Sequence, residues 1–231
     1  MKLKKDPKWL PWLVLGLGCA AGALRFLLYR TGVDEKGLLV SWHPLEVILW
    51  GLLAVTLVLA LAFTGKEPKR RRDEQLEALG QFMAAVGIAI TAAGGFRKGA
   101  GMLDLVHMAA GVAAAVTMLY GAILRWQSTP ETLFCAAVSC VFFALHLVCR
   151  YRSWSAHPQV QDYFFPLMGA VCAMVFSYLR CESGKMKLRR VIGLLGVFCC
   201  ISAICKTQDP ALYLGGALWM AANLHAPGEP V

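Results

Sequence analysis

Apolar residues along this chain gather into eight blocks, with polar residues between them. The blocks cover residues 9–29, 44–63, 78–93, 102–124, 132–149, 162–179, 191–205 and 211–224. A helix needs about 20 apolar residues to cross the hydrocarbon core of a bilayer. Inside that core each backbone N–H and C=O must find its partner within the protein. The pattern predicts an all-α integral membrane protein, a polytopic bundle of about eight transmembrane helices forming one domain over residues 1–231. Pro44 opens the second block, where the missing N–H of a first-turn proline costs nothing. The basic start is followed by an apolar run ending in Leu27-Leu28-Tyr29-Arg30 instead of small residues, so it reads as a retained first span and not a cleaved leader. The third and fourth blocks are rich in Ala and Gly and share a short turn, which predicts that they pack most closely. The last two blocks are short. A re-entrant hairpin competes with two crossings there, and eight crossings put both termini on one side.

Composition agrees with this picture. Hydrophobic residues make up 58% of the 231 and charged residues 16%, against nearly half and about a quarter in soluble domains. The net charge of +9 would suggest nucleic-acid binding in a soluble protein. Here the basic residues sit in short loops, and nucleic acid is not expected as a partner. With the N-terminus inside, 15 of the 23 Lys and Arg fall in cytoplasmic segments and 7 in outer ones, with Arg25 inside a span. That bias is the positive-inside pattern. It points to a multi-pass protein of the cell membrane, such as the cytoplasmic membrane of a bacterium. The basic clusters Arg70, Arg71, Arg72 and Lys187, Arg189, Arg190 set topology and also suit anionic lipid head groups. The nine cysteines include no Cys-x-x-Cys spacing and read as packing residues.

Depth carries the functional signal. At 1.5 Å rise per residue, Arg25, Glu46, Asp104, His107, His146 and Asp162 all fall in one shallow layer near the outer surface, with Arg150 at its rim. The inner half shows little beyond Asn223 and His225. Several of these groups continue stripes of small residues at helical spacing: Gly18, Ala21, Gly22, Arg25 and Tyr29, then Asp104, His107, Gly111, Ala114, Ala115 and Gly121, then Cys135, Ser139, Phe142, His146 and Arg150. Small residues mark helix contacts, and ionisable residues inside a membrane cost least when they face the bundle interior. Arg25 is expected to neutralise Glu46 or Asp104.

These residues predict a polar pocket near the outer leaflet, with Arg25, Glu46, Asp104, His107, His146 and Arg150 as substrate-binding residues for a small polar ligand. The protein is expected to be a small-solute permease or a substrate-binding membrane protein. One alternative is a structural or partner-binding membrane protein without substrate. Another is a membrane-embedded hydrolase, with Asp104-x-x-His107, His146 and Glu46 as candidate ligands of a divalent metal. A haem between His107 and His146 is a further, weaker possibility. No cofactor is specified by any motif, and no catalytic residue can be assigned.

Overall fold

The computed structural model describes residues 9–32, 39, 43–63, 74–94, 101–129, 133–154, 163–181 and 185–225. Among them are eight α-helices: α1 (Leu10–Thr31), α2 (Pro44–Phe63), α3 (Glu74–Gly94), α4 (Met102–Trp126), α5 (Leu133–Trp154), α6 (Phe164–Cys181), α7 (Met186–Ala203) and α8 (Pro210–His225). A 3-10 turn, Ile204–Lys206, extends α7. Seven helices are long and apolar enough to cross a membrane, so the protein is a multi-pass membrane protein built as an all-α bundle. Some helices outrun their apolar blocks. α3 begins at Glu74 and α7 at Met186, because charged residues end a hydropathy run without ending a helix. Glu74 and Glu77 occupy the first turn of α3, where the helix dipole favours acids.

Helices α3 to α8 form a closed ring in chain order, and α8 completes it against α3. Neighbours in the ring run antiparallel. Gly111 of α4 meets Ala92 of α3 and Phe142 of α5, Gly169 of α6 meets Cys200 of α7, and Gly193 of α7 meets both Phe176 of α6 and Leu224 of α8. α1 lies outside the ring and parallel to α7, with Gly18 and Gly22 against Ile201. α2 covers α1 and α7 from outside. Each helix thus runs opposite to the one before it. The end of the bundle where α1 begins is called the near end, and the end where it finishes is the far end.

The tightest seam is α3 on α8, where α3 on α4 had been expected. A Cβ on Gly87 would lie 2.4 Å from the Ala211 carbonyl oxygen, and one on Gly215 would lie 2.4 Å from that of Met83. Glycines on both partners bring the two backbones together. Between α3 and α4 the corresponding approach is Gly111 to the Ala92 methyl at 2.8 Å. In lipid, helix association depends on such close van der Waals contact, because the tails are as apolar as the side chains.

α8 has 16 residues, about 24 Å of rise against a core of about 30 Å. It is nonetheless no shallow hairpin. Cys200 meets Gly216, Met220 meets Gly196 and Leu224 meets Gly193, so α8 returns along nearly the whole of α7. Its length is tolerated because most of it is buried in protein. The bundle interior is filled by Trp219, Phe142, Phe176, Phe198, Met118 and Met220.

Candidate functional site

The far end of the ring is built around two histidines. Gly111 lacks a side chain, so the Phe142 ring approaches within 3.2 Å of where a Cβ would stand. That draws α4 and α5 together. One turn toward the far end, His107 and His146 meet, with His146 Nδ1 and His107 Nε2 3.2 Å apart. The His107 ring is also stacked on Phe142, at 5.4 Å between centroids and 14° between planes. His146 is fully buried and His107 9% exposed.

The third member comes from the turn between α7 and α8. Asp209 directly precedes Pro210, and its backbone carbonyl accepts from the N–H groups of Leu212 and Tyr213. An aspartate at the cap position followed by proline is a strong helix start, and the helix dipole favours its carboxylate. Its side chain pairs with Arg150 of α5, and the same guanidinium donates to Gln208. Asp209 Oδ2 lies 3.9 Å from His146 Nε2, beyond hydrogen-bond length. Tyr213 of α8 closes the group, with its ring 6.4 Å from that of His146. Two buried atoms here, His146 Nε2 and the Tyr213 hydroxyl, have no hydrogen-bond partner among the described residues.

Of the six residues expected to bind substrate, the structure gathers His107, His146 and Arg150 into this cluster. Asp104 is exposed, and its carboxylate accepts the Gly101 N–H at 3.1 Å. It closes the start of α4 and does not face the bundle. Glu46 lies on the outermost helix, α2, which packs on α1 and α7, and it accepts from Trp50 Nε1 at 3.3 Å. Arg25 is buried as expected, but its described hydrogen bonds run to the Ser202 carbonyl at 3.1 Å and the Tyr29 hydroxyl at 3.5 Å. Its guanidinium also lies 5.3 Å from the Phe165 ring centroid. Among the described residues, neither Glu46 nor Asp104 pairs with it. Arg25 does lie within electrostatic range of the Tyr213 hydroxyl, as do Asp209 and Arg150. Asp162 and the basic run at Arg70, Arg71 and Arg72 lie outside the described residues.

Asp209 and Tyr213 were not anticipated. A clue lay in Asp209-Pro210, a cap signature at the depth of the histidines. The near end also holds more polar groups than the apolar blocks suggested. Glu77 of α3 and Arg125 of α4 approach to 3.7 Å and are both buried. Arg180 of α6 hydrogen-bonds Asn223 of α8 and lies 5.6 Å from the Trp219 ring centroid. Gln81 and Arg190 are buried as well. Glu77 and Arg125 sit one residue beyond the apolar blocks at 78–93 and 102–124, in helical turns that hydropathy leaves out. An apolar trough of about 510 Å³ runs between α3 and α4, lined by residues such as Val86, Ala89, Met108 and Val112. It offers a polar ligand nothing.

Among the described residues, no group of three His, Cys, Asp or Glu side chains is placed to hold a metal ion. His107 Nε2 is engaged with His146. The same direct contact leaves no gap for a porphyrin between the rings. Comparison with family models, with curated proteins and with solved structures finds no match to this chain.

Proposed function

We propose that the protein is a small-solute permease or substrate-binding membrane protein whose polar site is the far-end cluster of His107, His146, Arg150, Asp209 and Tyr213. By the positive-inside pattern this site faces outward. Ionisable side chains within membrane spans mark substrate and ion pathways more often than they serve packing. The observation that carries the reading is the pair of unsatisfied buried atoms, His146 Nε2 and the Tyr213 hydroxyl, beside the Asp209 carboxylate. Buried polar groups are nearly always partnered. A donor and acceptor set left open around a carboxylate suits a water molecule or the polar atoms of a small ligand. Lys187 and Arg189, in the first turn of α7, serve anionic lipid head groups at the opposite surface.

The test is native mass spectrometry of protein extracted gently from its membrane, followed by a thermal-shift screen of polar metabolites. A ligand at 100 times its dissociation constant adds about 2.7 kcal/mol, or about 5–10 °C in Tm for a chain of this size. The shift should vanish in His146→Gln and Tyr213→Phe. An empty wild-type protein that no metabolite stabilises would end the reading. The Arg150–Asp209 tie, which fastens α5 to the α7–α8 turn, would then favour a purely structural role.

A further inference from the structure

We infer that His107 and His146 form a directional proton relay ending on Asp209, so that the solute handled at this site moves or binds together with a proton. The inference rests on the far-end cluster being a ligand site, and it names the second species taken up there.

The direction follows from hydrogen-bond geometry. A single proton lies between His146 Nδ1 and His107 Nε2 at 3.2 Å, and each neutral imidazole carries one N–H. If His146 Nδ1 were the donor, its Nε2 would present a lone pair to the Asp209 carboxylate 3.9 Å away. Two acceptors would then face each other in a buried place. With His107 Nε2 as donor, His146 Nε2 carries its N–H toward the carboxylate, and the electrostatics become favourable. This tautomer leaves the remaining nitrogen of His107, Nδ1, as a free base.

A proton that binds His107 Nδ1 can therefore displace its Nε2 proton onto His146 Nδ1. The Nε2 proton of His146 then passes to Asp209 Oδ2 once that gap closes. New N–H bonds form at His107 Nδ1 and His146 Nδ1 and an O–H bond at Asp209, while the two Nε2–H bonds break. One proton has moved and no electrons have changed hands. The rings reset when the proton returns or when each imidazole turns over. Charged and titratable groups around the pair are Cys149 and Arg150 on α5, Asp209 in the turn and Tyr213 on α8, while Asp104, turned outward at the start of α4, acts on His107 only through its field. The Asp209 carboxylate is paired with Arg150 on one side and has His146 Nε2 at 3.9 Å on the other. Protonation of Asp209 removes the charge that holds Arg150 and Gln208 in place, and so loosens the α7–α8 turn from α5.

The relay can be read without knowing the solute. Protein labelled with 15N-histidine is examined by solid-state NMR in lipid bilayers, and the two rings are assigned by the signals lost in His107→Gln and His146→Gln. The relay predicts nitrogen–nitrogen coupling across the His107–His146 hydrogen bond. It also predicts that His146 is held as the Nε2–H tautomer, and that this tautomer gives way to a mixture in Asp209→Asn. A His146 in the Nδ1–H form, or no coupling in folded wild-type protein, overturns it. In vesicles reconstituted with the protein, proton uptake after an acid jump should fall by about a hundredfold in either histidine variant, the lower end of the range for loss of a proton-transferring side chain. Uptake equal to wild type in both variants overturns it as well. Ligand binding that survives in a protein lacking the coupling would sink the relay and leave the site standing. Coupling in a protein that binds nothing would do the reverse.

Discussion

The pairing of Arg150 with Asp209 across 59 residues of chain has a measurable strength. Asp209 is 9% exposed and the Arg150 side chain 24%. Removing one partner of a fully buried pair costs about 3–5 kcal/mol, whereas exposed pairs are worth under about 1 kcal/mol. Partial solvent access puts this pair between those limits, at about 2 kcal/mol for either single change. Asp209→Asn is the informative variant. Asparagine caps a helix about as well as aspartate, so the start of α8 is preserved. It still accepts one neutral hydrogen bond from Arg150, so what is lost is the charge. Arg150→Met keeps the aliphatic stem against α5 and removes only the guanidinium. Each single variant should melt about 4–8 °C below wild type in a thermal unfolding assay in nanodiscs. The double variant should fall short of the sum by about 1–2 kcal/mol, the usual range for residues in direct contact. Losses that add fully would show that the two groups stabilise the bundle independently and that the turn is held by other contacts.

At the α3–α8 seam, Gly87→Val and Gly215→Val should each cost about 1–3 kcal/mol or more by overpacking. Gly16→Val should cost little, because nothing lies within 4 Å of a Cβ there. Equal melting temperatures for all three would contradict the close approach. Glu77→Leu should cost about 3–5 kcal/mol by leaving the Arg125 charge buried, which exceeds the loss at Asp209 because both side chains of the near-end pair are almost inaccessible. Asp104→Ala should cost about 1 kcal/mol as a lost cap interaction and leave the His107–His146 coupling intact by NMR. Loss of that coupling would return Asp104 to the site. Trp219→Phe should be tolerated within about 1.5 kcal/mol, since its indole N–H has no partner among the described residues to lose, whereas Trp219→Ala should cost about 3–5 kcal/mol.

Helix number and alternation could be read from hydropathy because the bilayer imposes a length on each apolar run. Helix ends could not, since Glu74, Lys187 and Arg189 are compatible with a helix that has left the hydrocarbon. Depth and small-residue stripes put His107 and His146 in one layer, but only the assembled bundle brings the two rings together. They failed for Asp104, which sits in the first turn of α4, where a side chain can fold back onto its own backbone. They failed for Glu46 because nothing in a local pattern tells which helix ends up outermost. Asp209 showed only its cap signature, for a related reason. Its partners are brought to it by the ring closure of α7 and α8, which is a property of the assembled bundle. The stripe on α1 puts Arg25 inside the bundle, but the carboxylates nearest to it in depth, Glu46 and Asp104, turn to Trp50 and Gly101 on their own helices.

Ring closure also has a consequence for how the protein is made. The wall of α3 that carries Glu77, Gln81 and Gly87 is covered by α8 and α4, and α8 follows the other helices out of the ribosome. Until it arrives, the glycine-rich face of α3 has no permanent partner in the membrane. α8, only 16 residues long and with Asn223 near its end, gains less from lipid than its longer neighbours. Each of the two supplies what the other lacks, so insertion of α8 and completion of the ring form one event. The histidine cluster, which takes its carboxylate from the turn just before that helix, comes into existence only at that moment.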